Sequence, residues 1–425
     1  RRGKLPPEAR RHDRGAVNMT DRGTYIVRKA LAALLTVCFL LAGSLAMAAK
    51  LDFIPSLTLD QTYDSNVFNT DGNEKGDFFL RATPGITFSL RMPETTLNLR
   101  SSLISDTYYK YTDRSSSSSA ISLALDSSTP IPVTQRLSIA PSAHFVQAQD
   151  SYRRTQLLPT GDPLVPTAIA TELGIRKSRD YGGGLRMNYL LTQNTDFSIG
   201  GGFSKRQFLD NTSGEFDSRV FTGDTFLSYR FTERFSSGFF VNTSYNTFEN
   251  GRDSRIYASG LTASYRFSPT YSVDARAGAS RALESEPGTL ERVTWSPYGS
   301  LTFAYTLLDF RAALAGTINQ SGGGSLGFTT QTESVNLTIS DQFATRWWWD
   351  LSGSYQKSKS LDPAGSQDLE SATGTAGIRY QPWEWVTLHL SGSALQQWSH
   401  GTVGTDLKRY SALLGFTLSY PYNLY

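Results

Sequence analysis

The feature that most constrains this chain is an alternation of apolar and polar residues that continues from Leu51 to the last residue. In one segment Phe239 and Val241 fall on one face, while Asn242 and Ser244 fall on the other. A period of two residues is typical of β-strands, and no helical stripe competes with it after residue 48. The sequence therefore predicts an all-β fold.

Short and long connections alternate between these segments. The eight short connections lie near 92–95, 128–134, 191–195, 231–234, 267–270, 307–309, 341–345 and 381–384. The nine longer, Gly/Ser/Asp/Asn-rich connections lie near 67–76, 112–118, 151–176, 209–214, 248–254, 283–289, 320–325, 360–367 and 400–405. This alternation is typical of bacterial outer-membrane barrels. We predict a transmembrane antiparallel up-and-down β-barrel of 16–18 strands, with 18 as the preferred number.

Aromatic residues cluster beside the predicted short turns. They include Tyr189, Tyr229, Phe235, Tyr265, Tyr271, Tyr305, Phe310, Trp347, Trp349, Trp383, Trp385 and Tyr420. Rings at one level of many strands form the interfacial girdle of a membrane barrel. A soluble β-sandwich or propeller, the alternative all-β architecture, would not need such a ring.

Composition agrees with a barrel rather than a bundle of membrane helices. The mean hydropathy is −0.32, whereas a polytopic helical protein needs several apolar stretches of about 20 residues. After residue 48 the chain carries 32 basic and 35 acidic residues, so its charge gives no support for a nucleic-acid partner.

The first 48 residues are typical of a leader. Arg28-Lys29 precedes an apolar run that ends on Ala46-Met47-Ala48, which predicts a signal peptide over 19–48 with cleavage after Ala48. Residues 1–18 precede the first Met and are expected to be a mis-translated upstream extension, which leaves 49–425 as the barrel. Cys38 lies inside the apolar run, and Val37 before it disfavours a lipoprotein signal. The mature chain would then contain no Cys and no disulfide.

The predicted inward faces carry many arginines. They are Arg81, Arg100, Arg136, Arg186, Arg230, Arg266, Arg276, Arg311 and Arg379. Fewer inward acids can be placed with them, namely Asp106, Asp224 and Asp274. An excess of positive charge on the lumen would favour the passage of anions. Alternatively, the arginines pair with acids, Tyr hydroxyls or carbonyls and only brace the wall.

The third long loop, 151–176, is the longest and is unusually apolar for a solvated loop. By analogy with general porins it would fold into the lumen. Arg153, Arg154, Asp162 and Glu172 would then line a constriction. An outward loop that contacts neighbours is the alternative.

The last strand has the character of an assembly signal. Leu414, Phe416, Leu418 and Tyr420 alternate with polar or small residues, and Gly415, Leu418 and Tyr420 resemble the C-terminal signal that the barrel-assembly machinery reads. Two departures are Leu413, where a polar residue is usual, and the extension 421–425.

Few residues are candidates for chemistry. His389 and Ser391 resemble the His/Ser arrangement of outer-membrane phospholipases, but the alternation places both on the lumen side, whereas a lipase site should face lipid. His144 is predicted to face the lumen as well. The acidic residues and histidines lack the spacing of a metal site, so we expect no enzyme activity, cofactor or metal.

The start of the predicted barrel resembles one family. Its Tyr63-Asp64-x-Asn66-Val67-Phe68 stretch and its Asp77-Phe78 pair with Thr83-Pro84-Gly85 are similar to the opening of the β-barrel porin 2 family. Those outer-membrane β-barrel proteins are often linked to exopolysaccharide production operons of Gram-negative bacteria. The resemblance covers roughly residues 51–110 and implies architecture more than mechanism.

Together these observations predict a porin-like channel in the cell outer membrane for passive passage of hydrophilic solutes, with a link to exopolysaccharide export. One alternative is a non-conducting structural or accessory barrel of an envelope export complex. The other is a barrel enzyme that hydrolyses lipid or peptide. The expected partners are outer-membrane lipid, the barrel-assembly machinery and exopolysaccharide export proteins.

Overall fold

The computed structural model describes residues 50–92, 95–125, 130–148, 177–209, 216–288, 290–322, 329–361, 367–401 and 406–424. The predictions made for residues 1–49 and for the third loop lie outside these residues. No helix in the described part of the chain is long and apolar enough to cross a membrane.

Almost all of the described chain is β-strand. The strands are β1 Lys50–Asp64, β2 Asp77–Arg91, β3 Thr96–Tyr108, β4 Ser116–Leu125, β5 Ile131–Pro132, β6 Leu137–Ala148, β7 Ser178–Thr192, β8 Thr195–Phe208, β9 Ser218–Arg230, β10 Phe235–Phe248, β11 Asp253–Ser268, β12 Tyr271–Ser285, β13 Arg292–Leu307, β14 Phe310–Ser321, β15 Thr330–Ala344, β16 Trp347–Ser360, β17 Gln367–Trp383, β18 Val386–Gly401, β19 Leu407–Ser419 and β20 Tyr422–Asn423. A short 3₁₀ helix, Thr112–Arg114, lies between β3 and β4.

The strands form one closed antiparallel ring. The long strands pair with their neighbours in chain order, and β19 pairs with β1 from Ser56↔Ser419 to Asp64↔Ser411. The two-residue β20 continues β19 in the same register on β1, after an interruption at Pro421, which has no N–H to donate to the ladder. The two-residue β5 pairs with β6, the neighbour of β4.

Counting β4 with β5 and β19 with β20 as single barrel strands gives 18 barrel strands in the described residues. The predicted barrel class and the preferred strand number are therefore confirmed. Short connections, such as 193–194 and 269–270, lie at one end of the barrel, which we call the turn end. Longer connections, such as 65–76, lie at the other, the loop end.

Two of the predicted turns are displaced. Strand β15 continues through 341–344 and β17 through 381–383, so the connections are 345–346 and 384–385. The pairing shifts register at both places, between Asp341 and Ala344 and between Tyr380 and Trp383. At each register shift one strand has extra residues relative to its partner, so residues 341–344 and 381–383, which were predicted as turns, stay within paired strands.

The outward face carries the apolar side chains. Leu261, Leu390 and Leu414 are 65%, 53% and 63% exposed, and each alternates with polar inward residues. In a soluble protein such a continuous exposed apolar surface would be costly, whereas lipid accommodates it. The wall therefore has an apolar outside and a polar inside.

An aromatic girdle runs along the turn end. Eight rings from β9 to β14 touch in succession, with centroid distances from 4.6 to 6.4 Å: Tyr229, Phe231, Phe235, Tyr265, Phe267, Tyr271, Tyr305 and Phe310. Outward rings also occur near the loop end, where Phe203 and Phe221 lie 5.0 Å apart. On β13, ten residues separate Trp295 from Tyr305, which corresponds to about 25 Å across a bilayer at a strand tilt of about 40°.

Two paired glycines allow a close approach of backbone and rings. Phe240, Gly260, Gly278 and Tyr298 are opposite one another in register across β10 to β13. The rings of Phe240 and Tyr298 meet above the two glycines with centroids 5.3 Å apart. A Cβ on Gly260 would collide with the carbonyl oxygen of Ala277 on the neighbouring strand.

We expect Gly260→Ala to lower the free energy of unfolding by about 1–3 kcal/mol, because the backbone must move to admit the methyl group. The measurement is urea unfolding of the refolded barrel in lipid vesicles, followed by tryptophan fluorescence. Gly374→Ala is the matched control, since a Cβ there meets nothing within 4 Å. Equal effects of the two substitutions would contradict this account.

Candidate channel lining and loop-end mouth

The structure places eight of the nine predicted lumen arginines on the inward phase of their strands. The exception is Arg136, which precedes β6 and lies in the connection 133–136, where its backbone carbonyl accepts the Leu190 N–H. Arg136 has the same phase as the inward Ser138 of β6, and a role for it in the lumen stays a prediction.

Three of these arginines form ion pairs with inward acids. Arg81 binds Asp106 through two hydrogen bonds of 2.8 and 3.1 Å, and both residues are buried. Arg186 lies 3.1 Å from Asp224, and Arg379 lies 3.8 Å from Asp350. For these three, the geometry supports bracing of the wall.

Arg276 lies over an aromatic cluster on the inner wall. Its guanidinium is 5.2 Å from the centroid of Phe226, whose ring is 6.4 Å from that of Phe240. Phe240 is completely buried, and Asn242 donates a hydrogen bond of 3.0 Å to the hydroxyl of Tyr298. The cluster covers the glycine pair and holds Arg276 against the wall.

Within the described residues, Arg100, Arg230, Arg266 and Arg311 make no ion pair. Arg230 is the last residue of β9, Arg266 lies near the end of β11, and Arg311 is the second residue of β14. These three are therefore at the turn end of their strands. No acidic side chain of the described residues forms an ion pair with them there.

The predicted inward acids were too few. Besides Asp106, Asp224 and Asp274, the structure places Asp52, Asp60, Asp64, Asp180 and Asp350 on the inner wall, where each has a cationic or histidine partner. The excess of positive charge is therefore smaller than the sequence suggested. The arginines that lack an acidic partner concentrate near the turn end.

A polar network joins the first strand to the last. Arg409 on β19 donates to both carboxylate oxygens of Asp64 on β1, the shortest hydrogen bond being 2.6 Å. His389 on β18 reaches Asp60 at 2.8 Å across Gly415, which is opposite both residues in register. A side chain at Gly415 would occupy the space between them.

This contact gives His389 a structural partner in the wall. No group of three or more His, Cys, Asp or Glu side chains within the described residues is arranged to hold a metal. Leu418 and Tyr420 lie on the outward phase of the last strand, and the rings of Tyr420 and Tyr422 are 4.8 Å apart. Recognition of Gly415, Leu418 and Tyr420 by the assembly machinery stays a prediction.

The first long loop packs on the inner wall. Val67, 2% exposed, forms a buried cluster with Phe79 and Tyr108, both on the inward phase of their strands. Phe68 packs against it and meets Tyr111 of the second loop in an edge contact of 4.9 Å. The first two loops therefore cover part of the lumen at the loop end.

Hydrogen bonds fix this arrangement. Arg114 donates to the carbonyl of Val67 at 2.9 Å, and the carboxylate of Asp77 accepts the N–H groups of Lys110 and Tyr111. Asn66 donates to the carbonyl of Thr70 at 2.8 Å. Asn66 and Asp77 belong to the segment that resembles the β-barrel porin 2 family, whereas no sequence motif pointed to Arg114.

The predicted constriction residues Arg153, Arg154, Asp162 and Glu172 lie outside the described residues, so their role stays a prediction. The structure instead shows that the first loop, predicted as one of the Gly/Ser/Asp/Asn-rich connections, packs on the inner wall. The signal was the run Val67-Phe68, two adjacent apolar residues within a polar loop.

Comparisons with known proteins add little at the level of sequence. No family model matches the chain, and no curated protein matches it. The resemblance to the β-barrel porin 2 family is therefore not confirmed.

Solved structures resemble the chain only distantly. The outer membrane protein OpdK from Pseudomonas aeruginosa has a TM-score of 0.45 at 11% identity, covering 87% of this chain and 99% of its own. OccK2 (OpdF) from the same species has a TM-score of 0.45 at 10% identity, covering 88% and 98%. Similarity of this degree defines neither a family nor a solute.

The class of protein follows from the chain's own geometry. A closed antiparallel ring leaves no free strand edge, its outward face is apolar between aromatic rings, and its inward face is polar. These features define a transmembrane β-barrel.

We expect Asp64→Ala to lower the free energy of unfolding by about 2–3 kcal/mol, because the partly buried Arg409 would lose its charge-assisted hydrogen bonds to the carboxylate. Urea unfolding in lipid vesicles would measure the loss. The double variant Asp64→Ala/Arg409→Leu should regain part of it. If the double variant loses as much free energy of unfolding as the two single variants added together, Asp64 and Arg409 do not stabilise the barrel as a pair.

Proposed function

We propose that this protein is an outer-membrane channel for the passive passage of small hydrophilic solutes. The observation that carries the proposal is the closed ring of 18 barrel strands with a polar inner wall. Barrels with about 16–18 strands leave an aqueous lumen instead of a packed core. The apolar outer face between aromatic rings supports the membrane location.

The proposed preference is for anions, and it comes from the turn end. Arg230, Arg266 and Arg311 face the lumen there without an acidic partner among the described residues. Fixed charge at a pore mouth raises the local concentration of counter-ions and so biases passage. The link to exopolysaccharide export depends on the sequence resemblance alone and stays a hypothesis.

The test is planar-bilayer conductance of the refolded barrel, residues 49–425, after heat-modifiable migration on a gel has shown that it is folded. We expect stable conductance steps, because most inward positions carry polar or small residues and a barrel of this strand number leaves an aqueous lumen. A folded barrel that gives no steps in either membrane orientation would contradict the proposal.

We expect Arg230→Ser/Arg266→Ser to shift the reversal potential under a salt gradient toward cations, because two lumen charges without counter-charges are removed. Arg281→Ser is the matched control, since Arg281 lies over the outward Trp295 at 5.8 Å. An unchanged reversal potential in the double variant would remove the anion preference.

A second candidate is the non-conducting accessory barrel. The packing of the first two loops on the inner wall favours it, because these loops occupy space at the loop-end mouth. Replacing Val67 and Phe68 with Ser should loosen this cover. Conductance that appears only in this variant would support the accessory barrel over the open channel.

A further inference from the structure

The outward face of the barrel carries most of its charged residues near one end. Near the turn end, the described strands carry one outward charged residue, Asp341. Near the loop end the outward positions carry eight cations, which we call the basic collar: Arg179, Lys205, Arg219, Arg255, Arg281, Lys357, Lys359 and Lys408. The two leaflets against this barrel therefore meet different chemistry.

Some cations of the basic collar form an ion pair with an acid or lie over an aromatic ring of the protein. Lys357 binds Glu370 at 2.7 Å, and the outward acids Glu333 and Asp368 are near it. Arg255 lies over Tyr245 at 5.6 Å. These cations therefore have contact partners within the protein.

The segment of the basic collar on β8 and β9 differs. Lys205 and Arg219 are directly opposite each other in register, on the outward face. Side chains so placed have Cβ atoms about 4.5–5.5 Å apart, and like charges in such a pair destabilise the sheet. Neither residue forms an ion pair within the described part of the chain, and Arg219 is exposed.

Their surroundings are those of a lipid headgroup region. The next outward positions toward the membrane are Phe203 and Phe221, whose rings are in contact at 5.0 Å. Arg179 lies on the neighbouring strand, with its Nε donating to Gln147 at 2.9 Å. Asp217, which precedes β9, uses its Oδ1 to accept the N–H of Phe208.

We propose that Lys205 and Arg219, with Arg179 beside them, bind a phosphate group on the headgroup of a phosphorylated glycolipid in the outer leaflet. A phosphate between two opposed cations replaces their repulsion by two charge-assisted contacts. The acyl chains of the same lipid would then lie against Phe203 and Phe221. This site depends on the proposed outer-membrane location, but not on conduction.

The test uses the full chain, folded in neutral detergent and titrated with bisphosphorylated lipid A, with bound lipid counted by native mass spectrometry. We expect Lys205→Gln/Arg219→Gln to bind at least tenfold more weakly. Arg234→Gln, an exposed arginine at the turn end, is the matched control and should bind within about twofold of the parent. The conservative Lys205→Arg should retain the affinity.

Two further arms identify the ligand. Dephosphorylated lipid A should bind the parent and the double variant alike, and inorganic phosphate should not displace lipid A. Equal binding of phosphorylated and dephosphorylated lipid to the parent would overturn the proposal. Full displacement by inorganic phosphate would instead indicate a soluble anion and would also overturn it.

Stability gives an independent readout if the variant folds poorly. Without lipid, Lys205→Gln alone should be at least as heat-stable as the parent, because it removes a like-charge pair. With lipid A, its gain in melting temperature should be smaller. A rise in melting temperature equal to that of the parent would contradict the proposed lipid site. A barrel that binds lipid A but does not conduct would contradict only the proposed channel function.

Discussion

The closure of the strand ring is the constraint on which the rest of this structure depends. In lipid, an unpaired strand edge leaves N–H and C=O groups without partners, at a cost of several kcal/mol each. The pairing of β19 with β1 satisfies that edge over nine residue pairs, from Ser56↔Ser419 to Asp64↔Ser411. The partly buried contacts Asp64–Arg409 and Asp60–His389 lie along the same seam, so backbone and side-chain pairing agree on one register.

The inner wall shows how such a ring can still be shaped locally. Where Gly260 and Gly278 are opposite each other, the absence of side chains leaves a depression, and the rings of Phe240 and Tyr298 fill it from the flanking strands. Arg276, held over Phe226, is part of the same surface. Small and large residues in one register row therefore set the contour of the lumen at this point.

Much of the fold could be predicted because its signals are local. Alternation within a strand and the length of each connection gave the class and the strand number, since both depend on adjacent residues. Pairings such as Asp64 with Arg409 could not be predicted, because the two residues are 345 positions apart. The excess of positive charge on the lumen was overestimated for the same reason. An inward acid can be assigned to a cationic partner only once the register of the neighbouring strand is known. Arg136 was expected within a strand and lies just before β6, because a polar turn and the start of a strand look alike over a few residues.

The first loop is tied to the end of the chain. The N–H of Ser65 donates to the carbonyl of Tyr410 at 2.9 Å, and the amide of Asn66 donates to the carbonyl of Lys408 at 3.1 Å. Both partners belong to β19, the long strand that closes the ring on β1 and follows its other long strands in the chain. The first loop, which covers part of the lumen at the loop end, therefore forms these hydrogen bonds only when β19 pairs with β1. A partly assembled barrel lacks them. The barrel wall and the cover at its loop end are thus completed in the same step.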